Sequence, residues 1–431
     1  MANLLRAYAR STIIIIDLGG DLALFNFAKA IAAKNGRKFR WFSTDHRKSS
    51  AFDLLQGLAY GMTQIQASNM FVTGTGHGGV FGKHGSQYFA GQAMFQTVLF
   101  IEWVVSKLDQ GRSVSIKDVD TYLDDPQNQV KDANQIRATI KQLAAYVQLT
   151  AGANNPDSID LYRAVKEKEV IYFFLGTLGE EETCRAIASI VIETLVAVMK
   201  FIGENIPEED RCKPKDHCFL LLDETQEVAH VLHGLLSQAR KHGISCIAAH
   251  QTSSQMKNVD QALLDVTRDN TSTKMYLSCT TEDDVREIQG YSKLGIDHRR
   301  SFNRGGGFIA SGGGNRASES ESEFQTPLTD RSRILDASAN VGELYLITDQ
   351  DGHREPIRTR VPYSTSKAEY LRALTTPLPL VGEKTAVAGS QSPQLENQEP
   401  QWKQLHRQQP GKKRAEHLER VSSILQMIRG E

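Results

Sequence analysis

Two acids, Asp223 and Glu224, follow directly on the unbroken apolar run Cys218-Phe219-Leu220-Leu221-Leu222. A run without alternation suits a strand buried on both faces, as in a parallel sheet with helices above and below. An acid pair at the carboxyl end of such a strand meets the needs of metal-assisted NTP hydrolysis. The first carboxylate can hold Mg²⁺ through its waters, and the second can polarise the attacking water. The plainer alternative is that both acids open a helix, where negative charge favours the positive dipole end. Two further residues count against it: Arg240, in the basic last turn of the next helical segment, and Gln251, at the carboxyl end of the next apolar run, Ile244 to Ala249.

Elements of one kind must position these groups. Val231, Leu232, Leu235 and Leu236 predict a helix that stops at Gly243. Upstream, Ser11 to Asp17 reads as a β-branched strand, and Leu18-Gly19-Gly20-Asp21 as a tight turn. Leu22 to Ala33 reads as a helix capped by Asp21, and Lys38 to Phe42 as a second strand. Glu169 to Leu175 is a further buried strand, and Glu180 to Phe201 a long apolar-faced helix. The fold class is therefore α/β, a sheet flanked by helices.

With those residues in place, Cys218 to Gln255 resembles the Walker B and glutamine-motif segment of the type IV coupling proteins of bacterial conjugation, the TraG/TraD type. The family pattern is an apolar strand ending in Asp-Glu, a helix ending in an Arg-x-x-Gly turn, and an apolar strand ending in Q-S/T-x-x-Q. Here those positions are Asp223-Glu224, Arg240 with Gly243, and Gln251-Thr252-Ser253-Ser254-Gln255. The resemblance implies a RecA-like motor related to the FtsK and HerA translocases, working with ATP and Mg²⁺. In it Asp223 holds Mg²⁺ through water, Glu224 orients the attacking water, Gln251 senses the γ-phosphate and Arg240 is an arginine finger for a neighbouring subunit. The family's D-x-K/N-G-D/E turn matches at Asp17, Gly20 and Asp21, placing Asp17 and Gly20 beside the nucleotide, whereas Gly19 replaces the usual Lys or Asn.

A Walker A loop, G-x-x-x-x-G-K-S/T, does not occur in the 431 residues. The one Gly-Lys in a glycine-rich setting, Gly82-Lys83, has His77 where the first glycine belongs and His84 where the hydroxyl belongs, so a plain loop is expected there. Leu4 to Ala9 reads as the tail of a helix, and the expectation is a chain that starts just after a phosphate-loop helix. A pseudo-ATPase or adaptor that docks on DNA or on motor subunits is the alternative, and an FtsK/HerA-like translocase a third reading.

Composition sets outer bounds. Fifty basic and 51 acidic side chains nearly cancel, so a DNA-binding surface has to come from local placement or from pooling charge around an oligomer. The five cysteines include no C-x-x-C, which speaks against a zinc site or disulfide frame. No run of 18 consecutive apolar residues occurs.

Four parts are expected: 1–50 as the first part of the motor, 51–156 as an all-helical insertion, 157–375 as the Walker B part, and 376–431 as a disordered linker with an amphipathic tail (Leu418, Val421, Leu425, Ile428). The Gly/Ser/Arg-rich stretch Arg299 to Glu323 reads as a flexible loop whose Arg299, Arg300, Arg304 and Arg316 are candidates to meet DNA phosphates. As partners the resemblance implies single- or double-stranded DNA, relaxosome proteins, inner-membrane components of a type IV secretion channel, and further copies of the chain in a hexameric ring. It also implies a cytoplasmic place, peripheral to the bacterial inner membrane.

Overall fold

The structure, a computed structural model, describes residues 11–44, 49–76, 87–150, 158–176, 180–205, 217–259, 261–277, 279, 281–303, 318–340, 342–348, 355–361 and 366–378. Residues 1–10, the Gly82-Lys83 loop, Arg304, Arg316 and the tail after Leu378 lie outside them.

Strand β1 (Thr12–Asp17) is buried at every position, so its four isoleucines serve both faces of a sheet. Gly20 turns the chain with a φ of 71°, which favours glycine. Asp21 then caps α1 (Leu22–Lys34) by accepting from the N–H groups of Ala23 and Leu24. Strand β2 (Phe39–Ser43) follows. Helices occupy the next hundred residues: α2 (Gln64–Gly74), α3 (Gln87–Asp109), α4 (Ile116–Asp124) and α5 (Asn134–Ala144). Reciprocal capping boxes start α2 (Thr63 with Gln66) and α4 (Ser115 with Asp118). Ile116, Val119 and Leu123 of α4, and Ile136, Ile140 and Leu143 of α5, are the buried positions of their helices, at spacings of three and four.

Helix α6 (Leu161–Glu167) is capped by Asp160 and returns the chain to the sheet as β3 (Val170–Phe174). Helix α7 (Glu181–Asn205) is long and apolar enough to cross a membrane, yet 67% of that window is buried inside the protein. Its buried residues line the main core with those of β1, β3 and β4, so it is a core helix. Strand β4 (Cys218–Asp223), helix α8 (Ala229–Gln238) and strand β5 (Ile244–Ala248) complete this part. The five strands run in the order β2-β3-β1-β4-β5, all parallel, with Asp17 opposite Asp223.

Beyond β5 come α9 (Ser253–Val259), α10 (Gln261–Asn270), β6 (Thr273–Tyr276), α11 (Glu282–Gly290), β7 (Leu294–Asn303), β8 (Ser318–Pro327), α12 (Arg331–Ala339), β9 (Glu343–Thr348), β10 (Ile357–Arg360) and α13 (Lys367–Thr375). Strands β10-β9-β6 form a separate antiparallel sheet with its own small core of Cys279, Val285, Ile288, Ile334, Ala337, Tyr345 and Ile347. Helix α13 folds back on α1, where Asn26 donates to the carbonyls of Ala373 (2.8 Å) and Thr376 (2.9 Å).

The loop expected from Arg299 to Glu323 is in its described parts a paired hairpin. Strands β7 and β8 are antiparallel from Leu294 opposite Pro327 to Asn303 opposite Ser318. Serine and glutamate alternate along β8, a period of two that a ladder accepts and that composition alone conceals. The register sets Arg300 opposite Glu321 and His298 opposite Glu323.

Candidate functional site

The parallel order brings the carboxyl ends of three neighbouring strands together: Asp17 on β1, Asp223 and Glu224 on β4, and Gln251 just after β5. Such an edge of an open α/β sheet is where ligands bind.

Asp17 is completely buried. It accepts hydrogen bonds from the N–H of Gly20 (2.8 Å), the N–H of Asp21 (2.8 Å) and the hydroxyl of Tyr172 (2.7 Å). Burial pushes its carboxyl up to about 6; these three donors pull the other way, and the nearby Asp223 adds to the rise. With both oxygens engaged and no exposed surface, Asp17 shapes the turn. Gly20 likewise spends its N–H inward, on Asp17. Both residues expected beside the nucleotide thus turn their polar groups inward and shape the turn next to Asp223. A β-carbon on Gly19 would lie 3.6 Å from Oδ1 of Asp17, 3.8 Å from Oδ2 of Asp223 and 3.8 Å from Cγ of Glu224, in ordinary contact. The position where the resemblance places Lys or Asn therefore faces the acids, and in this chain it brings them no donor.

Asp223 is half-buried, and its carboxyl is held above the usual range by burial first and then by the charge of Glu224. Glu224 has left-handed backbone geometry, φ 55° and ψ 53°, which costs a non-glycine residue on the order of 1 kcal/mol. Its Oε1 accepts from Nε2 of Gln251 at 2.7 Å, and its Oε2 from Nε2 of Gln226. Thr225 fixes the turn to the next strand, its N–H and its hydroxyl both donating to the carbonyl of Ala249 (2.9 and 2.6 Å). Strain at a residue whose carboxylate is held from two sides is the pattern of a site that needs that carboxylate in one place. Replacing Glu224 by glycine is expected to raise thermal stability, by up to about 1 kcal/mol, despite removing a site residue. A fall in the unfolding midpoint would contradict the strain.

Arg240 lies in the turn Ala239–His242, exposed, at the amino end of β5. The five residues of that strand separate it from Gln251 by about 16 Å. The structure thus brings Asp223, Glu224 and Gln251 together and leaves Arg240 at the opposite edge of the sheet. Arg299 and Arg300 stand in β7, away from this edge in sequence and in sheet.

Sequence reasoning missed three residues. Tyr172 carried a signal, since a phenol in a wholly buried strand needs a hydrogen-bond partner. Thr225 and Gln226 carried none beyond being polar in a turn.

Among the described residues no group of three or more His, Cys, Asp or Glu is arranged to ligate a metal. Mg²⁺ keeps several waters and binds through one or two carboxylates together with phosphates, so it does not require such a group. Asp223, half-buried at the strand end, suits that part. The described residues hold no equivalent for the phosphates themselves.

Residues 112–289 match the family model of the type IV secretion-system coupling protein DNA-binding domain. Over that segment the chain is similar to the type IV secretion coupling proteins. No curated protein sequence matches it. Among solved structures it is similar to the unbound monoclinic form of the bacterial conjugative coupling protein TrwBdeltaN70, at 12% identity and a TM-score of 0.53, covering 87% of this chain and 88% of that one. The trigonal form in complex with sulphate gives 11%, 0.52, 83% and 86%. The plasmid coupling protein TrwB in complex with ADP and Mg²⁺ gives 11%, 0.50, 85% and 87%. At such identities these likenesses establish the fold: this chain has the RecA-like α/β architecture of TrwB.

Proposed function

We propose that this chain is a DNA-translocating component of conjugative transfer, and that the β4–β5 edge is the water-activating half of its ATP site. The supporting observation is Glu224, strained at the strand end and hydrogen-bonded to Gln251 from the neighbouring strand at 2.7 Å. When bound, Mg·ATP supplies the phosphoanhydride and the metal's charge neutralisation. Asp223 would hold the metal through its water shell. Glu224 orients a water molecule at its Oε atoms and takes up its proton. Gln251, now bonded to Glu224, is the group that would sense the nucleotide's γ-phosphate. Arg240 cannot serve its own chain's acids, so its finger role belongs to a neighbouring subunit in a ring, where such a group contributes roughly 10³–10⁵ in rate. The outer edge of β5 has no partner strand among the described residues, and a phosphate-binding loop joining there would face Glu224. An adaptor that binds DNA without hydrolysis is the second reading, favoured by the lack of G-x-x-x-x-G-K-S/T in the sequence.

The DNA is gripped by its backbone, and the relaxosome and the inner-membrane channel are the partners at the two ends of transfer. The strands β7 and β8 carry two arginines against four carboxylates, Asp297, Glu319, Glu321 and Glu323. The segment 304–317 between them carries Arg304 and Arg316 and no acid. DNA affinity, read by fluorescence anisotropy, is expected to fall steeply from 50 to 200 mM salt. Arg304→Ala with Arg316→Ala should make the log–log slope shallower by about 1.4–1.8, at 0.7–0.9 per phosphate contact. Arg300→Ala should change it little. Salt-independent binding, or no binding at 50 mM, would defeat the DNA reading.

A further inference from the structure

The antiparallel sheet β10-β9-β6, with α11, α12 and the hairpin, forms a second lobe whose apolar core shares no residue with the main one. Met256 of α9 and Leu264 of α10 belong to the main core, whereas Val285 and Ile288 of α11 belong to the small one. The junction between α9–α10 and α11 is polar. Ser253 Oγ donates to Asp284 Oδ1 at 2.8 Å, and both residues are buried. Arg268 pairs with Glu287 at 2.6 Å. His250, exposed at the rim of the junction, lies near Asp284, Glu287 and Arg268, and partial desolvation lowers its pKa. On the motor side Arg268 Nε and Thr267 Oγ1 are buried without a hydrogen-bond partner, so the junction leaves polar capacity unused.

Each end of this junction is tied to something that matters. Ser253 is two residues from Gln251, and the link is short and braced: Thr252 N–H donates to Gln255 Oε1, and Gln255 N–H donates to Thr252 Oγ1, both at 3.3 Å. On the far side Thr281 donates to Asp284 Oδ2 at 2.5 Å and caps α11. Helix α11 leads through Tyr291 and Ser292 into β7. The returning strand is fastened at the same place, with Leu328 N–H donating to the Lys293 carbonyl and Thr329 N–H to Ser292 Oγ, each at 2.8 Å. A shift of α11 therefore carries both strands of the hairpin.

We propose that Asp284 is the joint through which the Glu224–Gln251 contact sets the position of the hairpin-bearing lobe, with Ser253 as its counterpart on the motor side. Asp284 is a positioning residue, and its two oxygens divide the work: Oδ2 holds α11 and Oδ1 receives the motor. The inference rests on geometry alone and stands whether or not the edge hydrolyses ATP.

Hydrogen exchange of the whole chain, without nucleotide, tests it. Gln251→Ala frees the loop and is expected to speed exchange across 282–303 and 318–327 about fivefold, the shift that one lost hydrogen bond of this kind brings. In Ser253→Ala, which keeps the Thr281–Asp284 cap, adding Gln251→Ala should produce no further change in those segments, a non-additivity that a merely structural role would not give. Asp284→Asn, as a second way of weakening the joint, should also shrink the Gln251→Ala effect. Unchanged protection of β1 and β4 shows that each variant is folded. If the Gln251→Ala effect stops at α9, or passes undiminished through Ser253→Ala, the joint is not there. Because no turnover is measured, that outcome is separable from failure of the ATP reading.

Discussion

Replacing Asp17 by alanine is expected to destabilise the protein by about 3–5 kcal/mol, read as the free energy of chemical unfolding. Three donors lose their acceptor at once: the N–H groups of Gly20 and Asp21 and the hydroxyl of Tyr172, itself wholly buried. The buried phenol stranded in this way costs about 1–3 kcal/mol and the two part-buried N–H groups less each, and relief of the repulsion from Asp223 offsets part of the sum. Tyr172→Phe removes one donor and leaves the carboxylate two, so about 1 kcal/mol is expected there. Equal losses in the two variants would show that the network is not centred on Asp17.

The same carboxyl gives the second large effect, a stability that falls as pH rises. Burial raises Asp17 to about 6 and Asp53 to about 7. Asp53 is buried and accepts from the N–H of Leu55 at 2.9 Å, with the charge of Asp160 adding to the rise. Both folded values lie above the unfolded one, so the neutral carboxyls favour folding fully below about pH 4. That contribution is lost progressively up to pH 6–7, with a plateau beyond. At about 1.4 kcal/mol per unit for each group, several kcal/mol disappear between pH 4 and pH 7. Asp53→Asn should flatten the upper part of this slope. A denaturation midpoint that rises across the interval would contradict it.

These two acids also mark how far the sequence could be read. Runs with one physical reading were legible: the isoleucines of β1, Cys218 to Leu222, and the helix stop at Gly243 all took the structure their pattern demands. What pattern could not carry was neighbourhood. Nothing in the order of residues says that β3 enters between β1 and β2, so the bond from Tyr172 to Asp17 stayed hidden, and with it the structural task of Asp17. Composition misled where periodicity was the better guide, in the alternating Ser-Glu strand β8. Arg240 and Gln251 were both placed at ends of elements, correctly, but ends at opposite edges of one sheet.

Within the coupling-protein fold, the chain thus presents a strained glutamate, a glutamine that holds it, and a half-buried aspartate beside them, with a polar joint leading away to a second lobe. Asp17 and Tyr172 hold this edge in shape. Gly19 keeps it open where a longer side chain would enter.

The most direct test is ATP turnover by the chain joined to a phosphate-binding strand, loop and helix at the outer edge of β5, compared with the same protein carrying Glu224→Gln. Measurable hydrolysis is expected, lowered at least about 100-fold by Glu224→Gln, while ATP affinity stays within about threefold, because that group acts on water and not on the nucleotide. Turnover that survives Glu224→Gln unchanged would show that the β4–β5 edge is not where water is activated.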